Sequence, residues 1–308
     1  MSYRLLPEVS SQVARAIFVS GGTRTGTSMM AKLLYSLDKV ECFHEPAFLY
    51  AFMYTINSVP ERDWKLLFEA FLVEELLLQA LAGRRLNFNE HDQSCVLSSL
   101  TRAEVDARLA RTHRHIDLVP RAAQHRLAVK MPETIPALER LRSYYPEMTF
   151  LVMLRRPESV IASLLERGWY SAKQMVEVGG DWVFRDTSLT PLKIAPWVTD
   201  DLIPKFVAAS EIERCAMCYV EQYRYLTGRK DCLIVDYDQL VAAPHAYFGR
   251  VAEQLGERFG ERTVSLLDAI REPGRHPQIA TEQIAPPLLA EMRDVYARCR
   301  ELALPLKG

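Results

Sequence analysis

Arg24, Glu45, Lys130 and Arg155 each stand just beyond a short apolar run, and the first of them lies among Gly21, Gly22 and Gly26. Glycines that let the backbone approach a ligand, successive inward N–H groups and the start of a helix together make an anion site. The stretch Gly22, Thr23, Arg24, Thr25, Gly26, Thr27 and Ser28 is therefore expected to hold a phosphate-like or sulfate-like group. Gly21 and Gly26 keep the spacing of the nucleotide-triphosphate loop G-x-x-x-x-G-K-[ST], and Ser28 keeps its hydroxyl. Position 27, however, is Thr rather than Lys, and the cation is Arg24, inside the loop. That argues against ordinary ATP or GTP chemistry. It leaves room for a related donor with a singly charged transferable group.

The elements that must position these residues are legible as periodicities. Ala16 to Val19 is a β-prone run, and Met30, Leu33, Leu34 and Leu37 form one helical stripe after the loop. Further strands are expected at Leu127–Lys130, Thr149–Leu154 and Cys232–Val235. Helices are expected at Trp64–Ala82, from Thr101 with Glu104 closing a capping box, and at Pro132–Tyr145. Others follow at Pro157–Arg167, Glu211–Leu226 and His245–Arg258. Thr149–Leu154 is almost continuously apolar, as in a parallel sheet covered on both faces. The expected fold is α/β: a doubly wound parallel sheet flanked by helices, with ligands at the carboxyl ends of the strands. We expect one domain over 1–308, with helical and irregular substrate-facing insertions at about 47–126 and 169–209.

Composition narrows the function classes. The 308 residues are 49% apolar and 25% charged with a net charge of −1, so no global field recruits nucleic acid or an anionic membrane. Six scattered cysteines read as reduced thiols in a cytoplasmic protein, and no metal site is expected. Cys215 and Cys218 have no second pair to complete a zinc site, and Cys215 lies on an apolar stripe. The N-terminus does not look like a signal peptide. Phe68–Leu81 is interrupted by Glu69, Glu74 and Glu75, which makes it a core helix rather than a membrane span. The Arg- and His-rich segment from Arg102 to Arg126 reads either as a solvated face or as a rim attracting an anionic substrate.

Two stretches resemble the signatures of the sulfotransferase superfamily, whose members move a sulfuryl group from 3′-phosphoadenosine 5′-phosphosulfate (PAPS) to a hydroxyl or amine. Arg24-Thr25-Gly26-Thr27-Ser28 is similar to the family's 5′-phosphosulfate loop. Arg155, followed by Pro157 and by Ser163 eight positions on, is similar to the strand-end motif that holds the donor's 3′-phosphate. The resemblance implies PAPS as co-substrate, adenosine 3′,5′-bisphosphate as product and no metal requirement. It gives Arg24 the developing charge on the bridging oxygen and places Lys130 near the sulfonate. The His that many cytosolic members carry after the lysine is here Pro132. Glu45 instead stands twenty-one residues beyond Arg24, where Golgi tyrosylprotein sulfotransferases carry a base Glu. The resemblance makes Glu45 the expected general base, with His44 next and Glu133 third.

Two other readings compete. One is a nucleotide kinase or NTPase, since Cys232–Asp236 imitates a strand ending in a Mg²⁺-site aspartate. The other is a nucleotide-binding module without activity. Trp169, Tyr170, Trp182, Phe184 and Trp197, with Gly179-Gly180 as a hinge, suggest an acceptor pocket or a lid. Those aromatics favour a small-molecule, lipid or polyketide-like hydroxyl acceptor over a charged glycan, and a homo-oligomer is compatible with the sequence. Arg271 and Arg275 fall where the family often places a C-terminal contact to the 3′-phosphate.

Overall fold

The computed structural model describes residues 5–110, 114–176, 190, 192–271 and 279–306. Five parallel strands form one sheet: β1 (Ile17–Gly21), β2 (Val40–His44), β3 (Arg126–Lys130), β4 (Thr149–Leu154) and β5 (Leu233–Asp236), in the order β2-β3-β1-β4-β5. All strands point the same way, so Gly21, His44, Lys130, Leu154 and Asp236 end on one edge. Register tightens this: His44 pairs with Lys130, Lys130 with Val19, Gly21 with Met153 and Leu154 with Asp236.

Side chains alternate across the sheet and both sides are buried. Phe18, Val129, Phe150 and Val152 enter one core, and Ile17, Val19, Leu151 and Met153 enter the other. The first core is capped by the helices Pro157–Arg167, Glu211–Tyr223 and Pro286–Leu302, and the second by Thr27–Tyr35 and Pro244–Leu255. Covering both faces explains why these strands read as continuous apolar runs.

The structure revises several boundaries. The Trp64–Ala82 helix begins at Glu61, and its middle, Phe71–Leu78, widens into a π-helix. It ends at Gly83, which is left-handed at φ 74°. The helix expected from Pro132 begins only as a 3₁₀ turn at Ile135–Ala137 before the α-helix Leu138–Tyr144. Pro132–Thr134 stay irregular because the Glu133 N–H is spent on Gly21 O at 2.8 Å, tying the end of β3 to the end of β1. The helices Pro7–Ala14, Ala47–Thr55 and Pro286–Leu302 had no expectation attached to them. No helix among the described residues is long and apolar enough to cross a membrane.

Candidate active site

The loop after β1 is shaped by its glycines. A Cβ on Gly26, at φ 95°, would sit 2.3 Å from the ring of Tyr237. One on Gly21 would meet Thr25 Oγ1 at 2.7 Å. Gly22 and Thr25 build the loop from within: the Thr25 hydroxyl donates to Gly22 O at 2.6 Å, and the Gly22 N–H donates to Tyr223 Oη at 3.0 Å. Thr23, Arg24, Gly26, Thr27 and Ser28 face a cavity of about 770 Å³. The helix Thr27–Tyr35 has no side-chain cap, so its first-turn amides are directed at that space.

Arg24 is held from several sides. Its Nε donates to Ser163 Oγ at 2.9 Å, its carbonyl accepts from Arg155 Nη1 at 3.0 Å, and its guanidinium lies 5.9 Å from the Trp169 ring centre. Burial, then Arg167 and Arg155, lower its pKa from the ordinary range; a guanidinium still keeps its charge. Arg155 stacks 4.4 Å over Tyr237, and its buried Nε has no hydrogen-bond partner among the described residues. Ser163 does not line the cavity itself; its hydroxyl accepts from Arg24.

Lys130 and Glu45 form the second centre. The Lys130 ammonium, on a residue only 5% exposed, donates to Ser28 Oγ at 2.9 Å and pairs with Glu45 Oε1. Glu45 sits at φ 45° with its N–H on Lys130 O at 2.9 Å, so the turn before Pro46 swings its carboxylate over the sheet edge. His44 points elsewhere. It is half-buried and absent from the cavity lining, and burial, then Lys130 and Lys32, push its pKa down to about 4. It is neutral near pH 7.

Glu133 is the residue whose surroundings the spacing could not show. It lines the cavity at φ 60°, with its Oε1 accepting from Tyr170 Oη at 3.3 Å and from Cys218 Sγ at 3.8 Å. Burial raises its pKa above the usual carboxyl range, against hydrogen bonds from Thr23, Tyr170 and Cys218. Four described non-glycine residues have positive φ, and three of them, Arg24, Glu45 and Glu133, line this one cavity. Backbone strain collects where a site must be pre-shaped.

Several other expected residues do not line the cavity. Arg108 is buried and forms a two-bond ion pair with Glu41, while Arg126 bonds Leu255 O, Thr149 and Glu257. Described residues of the Arg102–Arg126 segment do not line the cavity, so the rim reading gives way to structural pairing and solvated ion pairs. Asp236 is spent as a helix cap, accepting from Asp238 N at 2.9 Å and Gln239 N at 3.4 Å. Cys215 and Cys218 are in the core. Trp169 and Tyr170 line the cavity, whereas Trp197 is buried and donates its indole N–H to Tyr170 Oη at 3.2 Å. Arg271 bonds the carbonyl of its neighbour Ile270. Gly179, Gly180, Trp182, Phe184 and Arg275 lie outside the described residues. Tyr223 and Tyr237, which support the loop, were missed, although Tyr237 directly follows a strand end and the strand-end rule could have flagged it.

A sequence profile described as the Sulfotransferase family matches residues 16–261. The chain belongs to the sulfotransferase family. No curated protein matches the sequence of this sulfotransferase. Among solved structures, the sulfotransferase domain from the curacin biosynthetic pathway is 14% identical over 94% of this chain and 99% of its own, with a TM-score of 0.50. The corresponding domain of the Synechococcus PCC 7002 olefin synthase is 14% identical over 95% and 96%, with a TM-score of 0.44. A sulfotransferase from Mycobacterium avium is 16% identical over 98% and 80%, with a TM-score of 0.46. At these identities the likeness is one of fold.

Proposed function

We propose that this sulfotransferase takes PAPS as donor and a small-molecule hydroxyl compound as acceptor, releasing adenosine 3′,5′-bisphosphate. The observation that carries the reading is Lys130. One buried ammonium joins Ser28 of the anion loop to Glu45, which puts the cradle, a cation and a carboxylate within one cluster. The residues present fit a donor with two phosphate groups. Gly26 lets the Tyr237 ring close against the loop, the uncapped helix start offers amides, and Arg155 keeps a buried Nε without a partner among the described residues.

The donor supplies an activated sulfuryl group and a phosphate leaving group. The protein's share is positioning and charge stabilisation, as expected for in-line displacement through a loose transition state. Glu45 takes the proton of the acceptor hydroxyl as its oxygen bonds to sulfur. Lys130 stabilises the charged sulfonate oxygens, and Arg24 the negative charge left on the departing phosphate oxygen. Arg155 supplies a planar fork for the second phosphate. A cytoplasmic setting accords with six free cysteines, and a single domain with the shared sheet.

The kinase reading loses its aspartate, because Asp236 already serves two backbone N–H groups at the start of a helix. Isothermal titration with adenosine 3′,5′-bisphosphate tests the proposal. Micromolar binding without added metal is expected, and absence of binding at that level overturns it.

A further inference from the structure

The acceptor side of the cavity holds a second carboxyl besides Glu45. Glu133 lines the cavity together with Tyr50, Tyr170, Met175, Ile194 and Phe206. It has no ion-pair partner among the described residues, and its contacts are the neutral donors Thr23, Tyr170 and Cys218. Its place is set from both directions. The backbone is anchored to Gly21 O, and the carboxyl is met by Tyr170, whose hydroxyl is itself oriented by the Trp197 indole. A left-handed glutamate with this much support costs strain that a purely packing residue need not carry. Besides burial, the nearby Glu45 charge helps raise the proton affinity of Glu133, so an anionic group placed between the two carboxyls would be repelled by both.

We propose that Glu133, oriented by Tyr170 and Trp197, is a specificity-determining residue that accepts a hydrogen bond from a second polar group of the acceptor, an ammonium or a hydroxyl, distinct from the hydroxyl that is sulfated. The acceptor is then a compound with an apolar or aromatic body and one hydrogen-bond-donating group at a distance from its reacting hydroxyl. This rests on the sulfotransfer reading above. Tyr170 keeps the carboxyl aimed, so it is a positioning residue in this scheme.

Three phenols of one shape separate the possibilities: 4-propylphenol, 4-(2-hydroxyethyl)phenol and 4-(2-aminoethyl)phenol. Their binding is measured by isothermal titration on protein saturated with adenosine 3′,5′-bisphosphate. At least one polar probe is expected to bind about 10-fold or more tighter than the propyl compound, the usual scale for one satisfied buried hydrogen bond. Glu133→Leu should erase that preference. Glu133→Gln should spare a preference for the hydroxyl probe and remove one for the amine, which tells the two sources apart. If Glu133→Leu no longer binds the nucleotide, Tyr170→Phe decides, and the preference must fall at least about threefold. No preference in the wild type, including no detectable binding of any probe, overturns the proposal, as does a preference that survives Glu133→Leu. Failure to bind the nucleotide at all would instead strike the donor reading.

Discussion

Arg24 Nε donates to Ser163 Oγ at 2.9 Å, joining two residues that the linear motifs send to opposite ends of the donor. Arg155 completes the arrangement through its bond to the Arg24 carbonyl. The three residues form one unit in which Ser163 and Arg155 fix a strained Arg24. Ser163→Ala should therefore weaken adenosine 3′,5′-bisphosphate binding by about 10-fold, the scale of one hydrogen bond to a charged group. Arg155→Ala should weaken it more, because a partly buried charge goes as well. Titration calorimetry on both variants checks this, and unchanged affinity in Ser163→Ala would dissolve the unit.

Glu45 carries two separable duties. As a base it should contribute about two orders of magnitude or more, so Glu45→Gln and Glu45→Ala should both lose turnover on that scale. As the partner of buried Lys130 it also matters for stability, and the two variants should part there. The amide of Glu45→Gln still offers Lys130 an oxygen, whereas Glu45→Ala strands the ammonium and should lower Tm by about 2–4 °C. Single-turnover sulfuryl transfer and thermal melts, run side by side, measure the two duties. Wild-type-like turnover in Glu45→Gln would remove Glu45 from the base role.

Arg108 and Glu41 are bound by two hydrogen bonds of 2.9 and 2.7 Å, and both are buried. Removing one partner leaves an uncompensated charge in the interior, so Arg108→Ala should cost about 3–5 kcal/mol of stability. Chemical denaturation reads that loss. Nucleotide affinity of the folded fraction should stay at the wild-type value. A fall in affinity without a fall in stability would restore the segment as part of an anion-attracting rim.

His44 makes stability depend on acidity. Its pKa is about 4 in the folded protein, below its ordinary value of 6.5, so between those values the unfolded chain binds more protons. This contribution is whole above pH 6.5 and is lost as the pH falls towards 4. His44→Gln should flatten the stability profile across that window. Denaturation midpoints measured from pH 7 down to pH 4 test it, and an unchanged slope would show that other groups carry the acid dependence.

Much of the architecture was legible because it is written locally. The stripe Met30, Leu33, Leu34 and Leu37 comes out buried, and Thr101 with Glu104 and Ser210 with Glu213 form capping boxes. Ser210 and Glu213 have the same spacing as Thr101 and Glu104, and both pairs close the same reciprocal cap. The helix expected over Pro132–Tyr145 starts later than its spacing implies, because helical spacing says nothing of the bond from Glu133 N–H to Gly21 O. The Pro286–Leu302 helix carries no expectation from the sequence, yet it packs against Glu211–Tyr223 and helps close one core.

That an anion loop follows the first strand, and that charged residues stand at several strand ends, is written in the order of the residues. Glycine spacing and apolar periodicity act over a few residues, so no tertiary knowledge is needed to see them. Which of those residues touch was decided only by the strand order β2-β3-β1-β4-β5. Placing β3 between β2 and β1 sets His44 beside Lys130 and brings Lys130 to both Glu45 and Ser28. Placing β4 against β1 lets Arg155 and Ser163 reach Arg24. Contacts between residues about a hundred positions apart depend on which strands are neighbours and on their register, and no local pattern encodes either.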